Sequence, residues 1–287
     1  MGRRSDPRWR DEAAAGLMAS LIPGLGLSAT VLVVEDPEPA VADALTAAGA
    51  EPVLWSRMDR REGAPGSTWP PPGPFHDVLI RLPRTRESLE FALHAALSVT
   101  RPGGRVLVYG ATDEGIASTP RWLAPLLGPA AVRANARRCR VLEAVWKGPR
   151  DSAATEAPGG EDLPPVALRG TLPQWRKVHE VDLGWGLLPW VSYPGTFAKG
   201  GLDPGTALLL AHLPEVPEGT RFLDFGAGTG VLAAGVLHAC PGARALLVEP
   251  DSLAREAARE NVPGAQFPTA DGWWKSGPFH AVVANPP

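Results

Sequence analysis

Leu223-Asp-Phe-Gly-Ala-Gly-Thr-Gly230 stands between an apolar run, Thr220-Arg-Phe-Leu-Asp-Phe225, and a helical stretch from Gly230 to Cys240. Its form is D-x-G-x-G-x-G. Glycines at that spacing let the backbone turn tightly and approach a ligand with no side chain in the way. A nicotinamide-binding loop would need G-x-G-x-x-G, and its third glycine would fall on position 231, which is Val. Asp224, at the strand end, is also out of place for a dinucleotide site.

The same rhythm extends to both sides. Arg244 to Glu249 is a second strand, Asp251 to Asn261 a second helix, Gln266-Phe267 a short strand and Phe279 to Ala284 a fourth. Upstream, Lys177–Asp182 and Leu188–Ser192 suit a hairpin. The first half opens with a short helix over 11–22, then a buried-strand pattern, Thr30 to Asp36. A helix from Glu38 to Ala48, a strand over Glu51–Trp55, a strand over Asp77–Leu82 and a helix from Thr85 to Thr100 follow. Arg101-Pro-Gly-Gly104 reads as a turn into Arg105–Tyr109. Alternating strands and helices with short connections predict open, mostly parallel α/β sheets. The repetition of elements between the halves suggests an internal duplication.

Two glycine- and proline-rich breaks punctuate the chain, a loop from Arg61 to Pro74 and a longer polar stretch from Gly148 to Pro165. We therefore expect a first domain over 1–147, a linker over 148–165 and a second domain over 166–287. Two domains suit 287 residues. A net charge of −3 excludes a protein built as a polycation, and 44% hydrophobic against 21% charged residues suits real cores. The longest apolar run is far short of the roughly 18 residues of a spanning helix. No apolar signal core follows the start, so a soluble cytoplasmic protein is expected. Cys139 and Cys240 are expected to be free, buried thiols. The six histidines never fall into a ligand spacing, so no metal site is expected.

Three positions beyond the loop carry chemistry. Glu249 ends the second strand, where a carboxylate can accept both ribose hydroxyls of an adenosine. Asp271, in Thr269-Ala-Asp-Gly-Trp-Trp274, follows the third strand and can accept from an adenine amine, with Gly272 beside it and Trp273 or Trp274 over the ring; packing and an ordinary turn are the plainer alternatives. Asn285-Pro-Pro287 ends the fourth strand. Two prolines stiffen a turn at the carboxyl edge of the sheet, where ligands bind in open α/β folds. There the Asn285 amide oxygen and the Pro286 carbonyl can each accept a hydrogen bond from one planar amino group, which aims the nitrogen lone pair at an electrophile.

Together, D-x-G-x-G-x-G, Glu249, Asp271 and N-P-P resemble the class I S-adenosylmethionine methyltransferases that act on amino nitrogen. Leu188-Pro-Trp-Val-Ser-Tyr-Pro-Gly-Thr-Phe197 and Gly201-Leu-Asp-Pro-Gly-Thr206 are similar to the entry motif of one branch, the ribosomal RNA guanine methyltransferases of the RsmC and RlmG type. The resemblance covers nearly the whole chain and is most specific from Gly195 to Pro287. It implies two tandem Rossmann-like methyltransferase domains, the first degenerate and the second lacking its C-terminal strands. The family's fold continues past N-P-P through an aromatic residue and three more strands, on the order of 80 residues.

The resemblance also implies a site. S-adenosylmethionine would lie over Asp224, Gly226, Ala227, Gly228 and Gly230, with Glu249 on its ribose and Asp271 and Gly272 at its adenine. Phe197, Gly205 and Thr206 would close the methionine end, and Asn285, Pro286 and Pro287 would hold a guanine flipped from ribosomal RNA. No metal or membrane is implied, and a monomer is expected.

The first half suits the degenerate role. Val34-Glu-Asp-Pro-Glu-Pro39 replaces the glycine loop and Arg81-Leu-Pro-Arg84 replaces N-P-P. RNA contacts are expected from Arg81, Arg84, Arg86 and Arg137-Arg138-Cys-Arg140, with solvated arginines as the plainer alternative. Two other functions stay open: a glutamine-amide methyltransferase, which shares the N-P-P chemistry, and a non-catalytic RNA-binding or assembly protein for a chain ending at 287.

Overall fold

The computed structural model describes residues 8–59, 65–149, 166–196, 202–213, 217–268 and 272–285. The chain divides into two compact units, one of 1–56 with 69–174, the other of 57–68 with 175–287. The segment 57–68, which sequence order assigns to the first half, thus belongs to the second unit.

In the first unit, helix α1 (Arg8–Leu25) precedes β1 (Thr30–Val34), α2 (Pro39–Ala47), β2 (Glu51–Trp55), β3 (Phe75–Arg81), α3 (Arg86–Ser98) and β4 (Thr100–Ala111). Then come α4 (Pro120–Leu127), β5 (Ala131–Ala136) and β6 (Cys139–Val145). The sheet order is β2-β1-β3-β4-β6-β5. Strands β1 to β4 run parallel, and β6 pairs antiparallel with β4 and with β5. β1 is buried from Val31 to Val34, as its unbroken apolar run predicts for a strand covered on both faces. α1 lays Ala14, Ala15, Met18 and Ile22 on the same core as Val31, Leu79 and Leu107.

Two details correct the reading of this half. Arg101–Gly104 is not a turn before a strand: β4 runs from Thr100 to Ala111 and carries these residues, with a register shift against β3 between Phe75 and Asp77. The prolonged strand is held by Gly103 N donating to Trp146 O and Trp146 N donating to Gly104 O. Arg81 is no surface contact for RNA. It is buried, and its Nη2 reaches Asp11 Oδ1 at 2.7 Å and both Glu114 oxygens at 2.8 Å. Arg84, Arg86, Arg137 and Arg138 are exposed.

The loop after β1 is filled from within. Asp36 is buried and accepts from Tyr109 Oη at 2.6 Å and from Glu38 N at 3.0 Å. Pro37 and Pro39 follow β1 where glycines follow β9 in the second unit, and the Tyr109 hydroxyl closes on the Asp36 between them and the strand.

In the second unit, hairpin strands β7 (Lys177–Asp182) and β8 (Leu187–Ser192) precede α5 (Pro204–Ala211), β9 (Arg221–Phe225), α6 (Val231–Ala239), β10 (Arg244–Val248), α7 (Ser252–Asn261) and β11 (Ala281–Val283). Among the described residues its parallel sheet runs β10-β9-β11, the local order that β2-β1-β3 has in the first unit. Gln266 contributes a single parallel bridge to Leu246 rather than a strand. Phe222, Leu247, Ala233, Val236 and Ala258 form a dry core between β9, β10, α6 and α7. Burying a large apolar side chain there contributes about 1.5–3 kcal/mol. Cys139 and Cys240 are both free and buried.

Candidate active site

Strand register alone gathers the key positions. In the parallel pairing Val248 sits opposite Phe225 and Val283 opposite Asp224. One residue beyond β10 is Glu249, one beyond β9 is Gly226 and two beyond β11 is Asn285. All three therefore emerge at the carboxyl edge of the sheet, where open α/β folds place ligands.

The glycine loop is anchored by Gly226 N and Ala227 N, which donate to Val248 O at 2.8 and 3.1 Å. Gly226 and Gly228 have φ of +73° and +55°, and a Cβ on either would meet nothing within 4 Å. Their backbone is thus bare toward open space. Gly230 serves differently: at φ +92° a Cβ there would come 2.6 Å from Val262 Cγ2, so glycine brings the loop close against α7.

Two carboxylates line this loop. Glu249 holds it directly, one oxygen accepting from Gly228 N at 2.7 Å and the other from Asp251 N at 2.9 Å. Burial pushes the Glu249 carboxyl up despite these two amides. Asp224 is fully buried, and its Oδ2 accepts from Ala233 N at 3.0 Å in the first turn of α6, while its Oδ1 has no partner. Burial raises its pKa to about 7, the Ala233 amide works against this, and the Glu249 charge adds to the rise. A buried, unpartnered carboxylate oxygen and a second carboxylate beside a bare glycine backbone suit a ligand with cationic and hydroxyl groups, and S-adenosylmethionine has both.

Asn285 reaches the site from the other side. Its Nδ2 donates to Asp203 Oδ2 at 3.0 Å and to Thr206 Oγ1 at 2.9 Å. Asp203 is the N-cap of α5, accepting from Thr206 N at 3.0 Å, with Pro204 at the first helical position. Gly205 and Thr206 lie in the first turn of this helix. A Cβ on Gly205 would lie 3.4 Å from the Asn285 amide, so the helix start and Asn285 are in close approach.

The structure therefore brings together Asp224, Gly226, Ala227, Gly228, Gly230 and Glu249 on one side and Gly205, Thr206 and Asn285 on the other. Gly272 caps the short turn Trp273–Ser276, and no hydrogen bond among the described residues joins it to the glycine loop. Phe197, Asp271, Pro286 and Pro287 lie outside the described residues.

Several residues that bind this site together were not singled out from the sequence. Trp190 Nε1 donates to Thr229 Oγ1 at 2.9 Å. Asn261 accepts from Val191 N at 2.8 Å and donates to Val191 O at 2.9 Å and Thr229 O at 3.0 Å. These bonds fasten β8 to the glycine loop. Asp203 could have been found, because Asp-Pro before an apolar run is a helix-start signal. Asn261, at the end of a polar helix, carried none. Among the described residues no cluster of three or more His, Cys, Asp or Glu could hold a metal ion, and no helix is long and apolar enough to cross a membrane.

This geometry agrees with what the chain is similar to. Residues 188–287 match the methyltransferase small domain and residues 28–156 match the methyltransferase small domain N-terminal family. Ribosomal RNA small subunit methyltransferase C of Pseudomonas paraeruginosa is 34% identical over 223 residues, 76% of this chain and 61% of that protein. The chain thus spans about three-fifths of the length of that relative. The protein of the same name from Stutzerimonas stutzeri is 31% identical over 253 residues, 84% of this chain and 70% of that protein. In fold, the T. thermophilus 16S rRNA N2 methyltransferase RsmC, solved with AdoMet and guanosine, superposes with a TM-score of 0.65 at 21% identity, over 94% of this chain and 74% of that one. With a glycine loop, a carboxylate pair and an oriented Asn285 at the edge of its second sheet, the chain belongs to the ribosomal RNA small subunit methyltransferase C family.

Proposed function

We propose that the protein transfers a methyl group from S-adenosylmethionine to the exocyclic amine of a guanine in small-subunit ribosomal RNA. The observation that carries this reading is Asn285, whose amide nitrogen is committed to Asp203 and Thr206 beside a glycine loop with two carboxylates. When bound, S-adenosylmethionine supplies an electrophilic methyl group on a sulfonium centre.

The chain's own residues bind and orient. Gly226 and Gly228 offer bare backbone on either side of Ala227, and Gly230 holds this loop against α7 beneath the donor. Glu249 takes the ribose hydroxyls, and Asp224 supplies negative charge for the cationic end. Asp271 and Gly272 take the adenine, while Phe197 and Gly205 close the methionine end. Thr206 joins Asn285 to α5. With its nitrogen engaged, Asn285 turns Oδ1 toward the acceptor, where it accepts a hydrogen bond from one N–H of the guanine amine, and the Pro286 carbonyl accepts a hydrogen bond from the other. Pro287 stiffens the turn. Alignment is the main lever, since about 1 Å of misplacement can cost on the order of a hundredfold in rate.

The first domain serves as a support that meets RNA through exposed Arg84, Arg86, Arg137 and Arg138, and the protein acts in the cytoplasm as a monomer. Arg137 and Arg138 occupy the β5–β6 turn with φ of +52° and +61°. That backbone strongly favours Asn or Gly, so its two exposed guanidinium groups are held at some conformational cost.

The test offers small ribosomal subunits and labelled donor to the full-length protein, then digests the RNA and the proteins separately. Label in methylguanosine is expected. Label in a protein glutamine or in methyladenosine would overturn the guanine reading, and RNA affinity without donor binding would favour a non-catalytic role.

A further inference from the structure

A segment that sequence order assigns to the first half lies along the turn that follows Glu249. Met58 forms an antiparallel bridge to Asp251, Ser252 N donates to Arg57 O at 2.8 Å and Asp59 N donates to Pro250 O at 2.9 Å. Side chains reinforce this short ladder. Arg57 Nη2 pairs with Asp251 Oδ2 at 3.2 Å, while the same guanidinium donates to Pro194 O at 2.8 Å and Gly195 O at 3.2 Å. Arg255 Nη1 reaches Asp59 Oδ2 at 2.7 Å and Glu249 O at 2.6 Å. Gly66 N closes on Asp59 Oδ1 at 2.7 Å, and a Cβ at Gly66 would collide with the Arg57 carbonyl.

Both ion pairs are nearly dry, with the side chains of Arg57 and Asp251 at 14% and 10% exposure and those of Arg255 and Asp59 at 13% and 10%. Buried ion pairs add little net stability, because desolvation offsets their attraction, but they tolerate few arrangements. Their position here is therefore informative. Asp251 N is one of the two amides that hold the Glu249 carboxylate, and Arg255 holds the Glu249 carbonyl. Arg57 also ties the turn at Pro194-Gly195 to the turn at Asp251.

We propose that Arg57–Asp59 is a positioning clamp for the donor site, which sets the orientation of the Glu249 carboxylate, and so donor affinity, from within the non-catalytic half of the sequence. The clamp rests on the reading of Glu249 as the residue that grips the donor's ribose. Losing the Arg57 side chain removes the guanidinium paired with Asp251 and its tie to Pro194-Gly195. The Pro250–Asp251 turn is then left to the backbone ladder and Arg255, and the loosening passes through Asp251 N to Glu249.

The test is a double-mutant cycle in the full-length protein, with S-adenosylhomocysteine titrated calorimetrically into wild type, Arg57→Gln, Glu249→Gln and the double variant. Glu249→Gln is expected to weaken binding at least tenfold. Arg57→Gln is expected to weaken it on the order of tenfold in the wild-type background and less than twofold beside Glu249→Gln, as for directly coupled residues. Equal weakening in both backgrounds, or none in the wild type, overturns the clamp while leaving the donor site in place. Unchanged binding in Glu249→Gln overturns the donor-site reading itself. If Arg57→Gln does not fold, Asp59→Asn carries the same comparison, with the same outcomes deciding it.

Discussion

Asn285 Nδ2 lies 3.0 Å from Asp203 Oδ2, and this contact decides which way the amide faces. An ionised carboxylate can only accept a hydrogen bond, so the atom turned to it must be the nitrogen. The Asp203 carboxyl is held below its usual range, first by the Thr206 amide and further by Asn285 itself. Thr206 Oγ1 accepts a hydrogen bond from the second amide N–H, which leaves the Asn285 oxygen as the group presented to an acceptor.

Asp203→Asn should expose this dependence. Asn caps a helix about as well as Asp, so stability should change little. An amide at 203 can pair with either end of the Asn285 side chain, however, and the orientation is no longer enforced. Single-turnover methyl transfer is expected to fall about ten- to a hundredfold, with donor affinity within about twofold of wild type. An unchanged rate would remove Asp203 from the positioning of Asn285.

Asn285→Ala removes the acceptor oxygen altogether. Transfer should be abolished while S-adenosylhomocysteine still binds, because the glycine loop and Glu249 are untouched. Calorimetry beside a transfer assay separates the two effects. Full activity in this variant would show that the N-P-P assignment is wrong.

Asp224 gives a pH signature. Its pKa is raised from 3.8 to about 7, so between those values the native protein holds a proton that the unfolded chain has lost. This group's contribution therefore makes stability fall as pH rises from about 4 to about 7 and leaves it level above. Asp224→Asn keeps an acceptor for Ala233 N and cannot ionise, so its unfolding temperature relative to wild type should rise by several degrees between pH 5 and pH 8. Donor binding should show the opposite benefit: tightening from pH 6 to pH 8 in wild type, as the carboxylate ionises, and weaker and flatter in Asp224→Asn. Thermal unfolding and calorimetry across that range check both.

Asn261→Ala leaves the Val191 amide and carbonyl and the Thr229 carbonyl without this partner. An unsatisfied buried group costs about 1–3 kcal/mol, so a loss on the order of 2–4 kcal/mol is expected. Thermal unfolding should show it, and donor affinity should fall with it, because Thr229 lies in the glycine loop. A variant as stable as wild type would mean that β8 does not depend on this side chain.

What could be read from the sequence was what local chemistry dictates. Glycines between an apolar strand and a helix have few other uses, and Glu249 announced itself by ending the next strand. The order from α1 to β4 and from β9 to α7 also followed from apolar runs and helical stretches, whereas α4, β5, β6 and α5 were not read from the sequence. Other features needed partners far along the chain. Asp203 and Asn285 are 82 residues apart, and only the parallel register of β11 on β9 brings them together. Arg101-Pro-Gly-Gly104 has the composition of a turn, yet pairing with the Trp146 backbone draws it into β4. Arg81 looked like a surface cation until Asp11 and Glu114 were seen around it. Arg57 and Asp59 border a glycine- and proline-rich stretch with no periodicity, so nothing local tied them to Glu249.

The most direct measurement is nucleoside mass spectrometry of small-subunit ribosomal RNA from cells lacking this gene, complemented with the wild-type gene or with Asn285→Ala. One N2-methylguanosine is expected to disappear on deletion, to return with the wild type and to stay absent with the variant. A methylguanosine content that does not depend on the gene, or that Asn285→Ala restores in full, would contradict guanine methylation at this site.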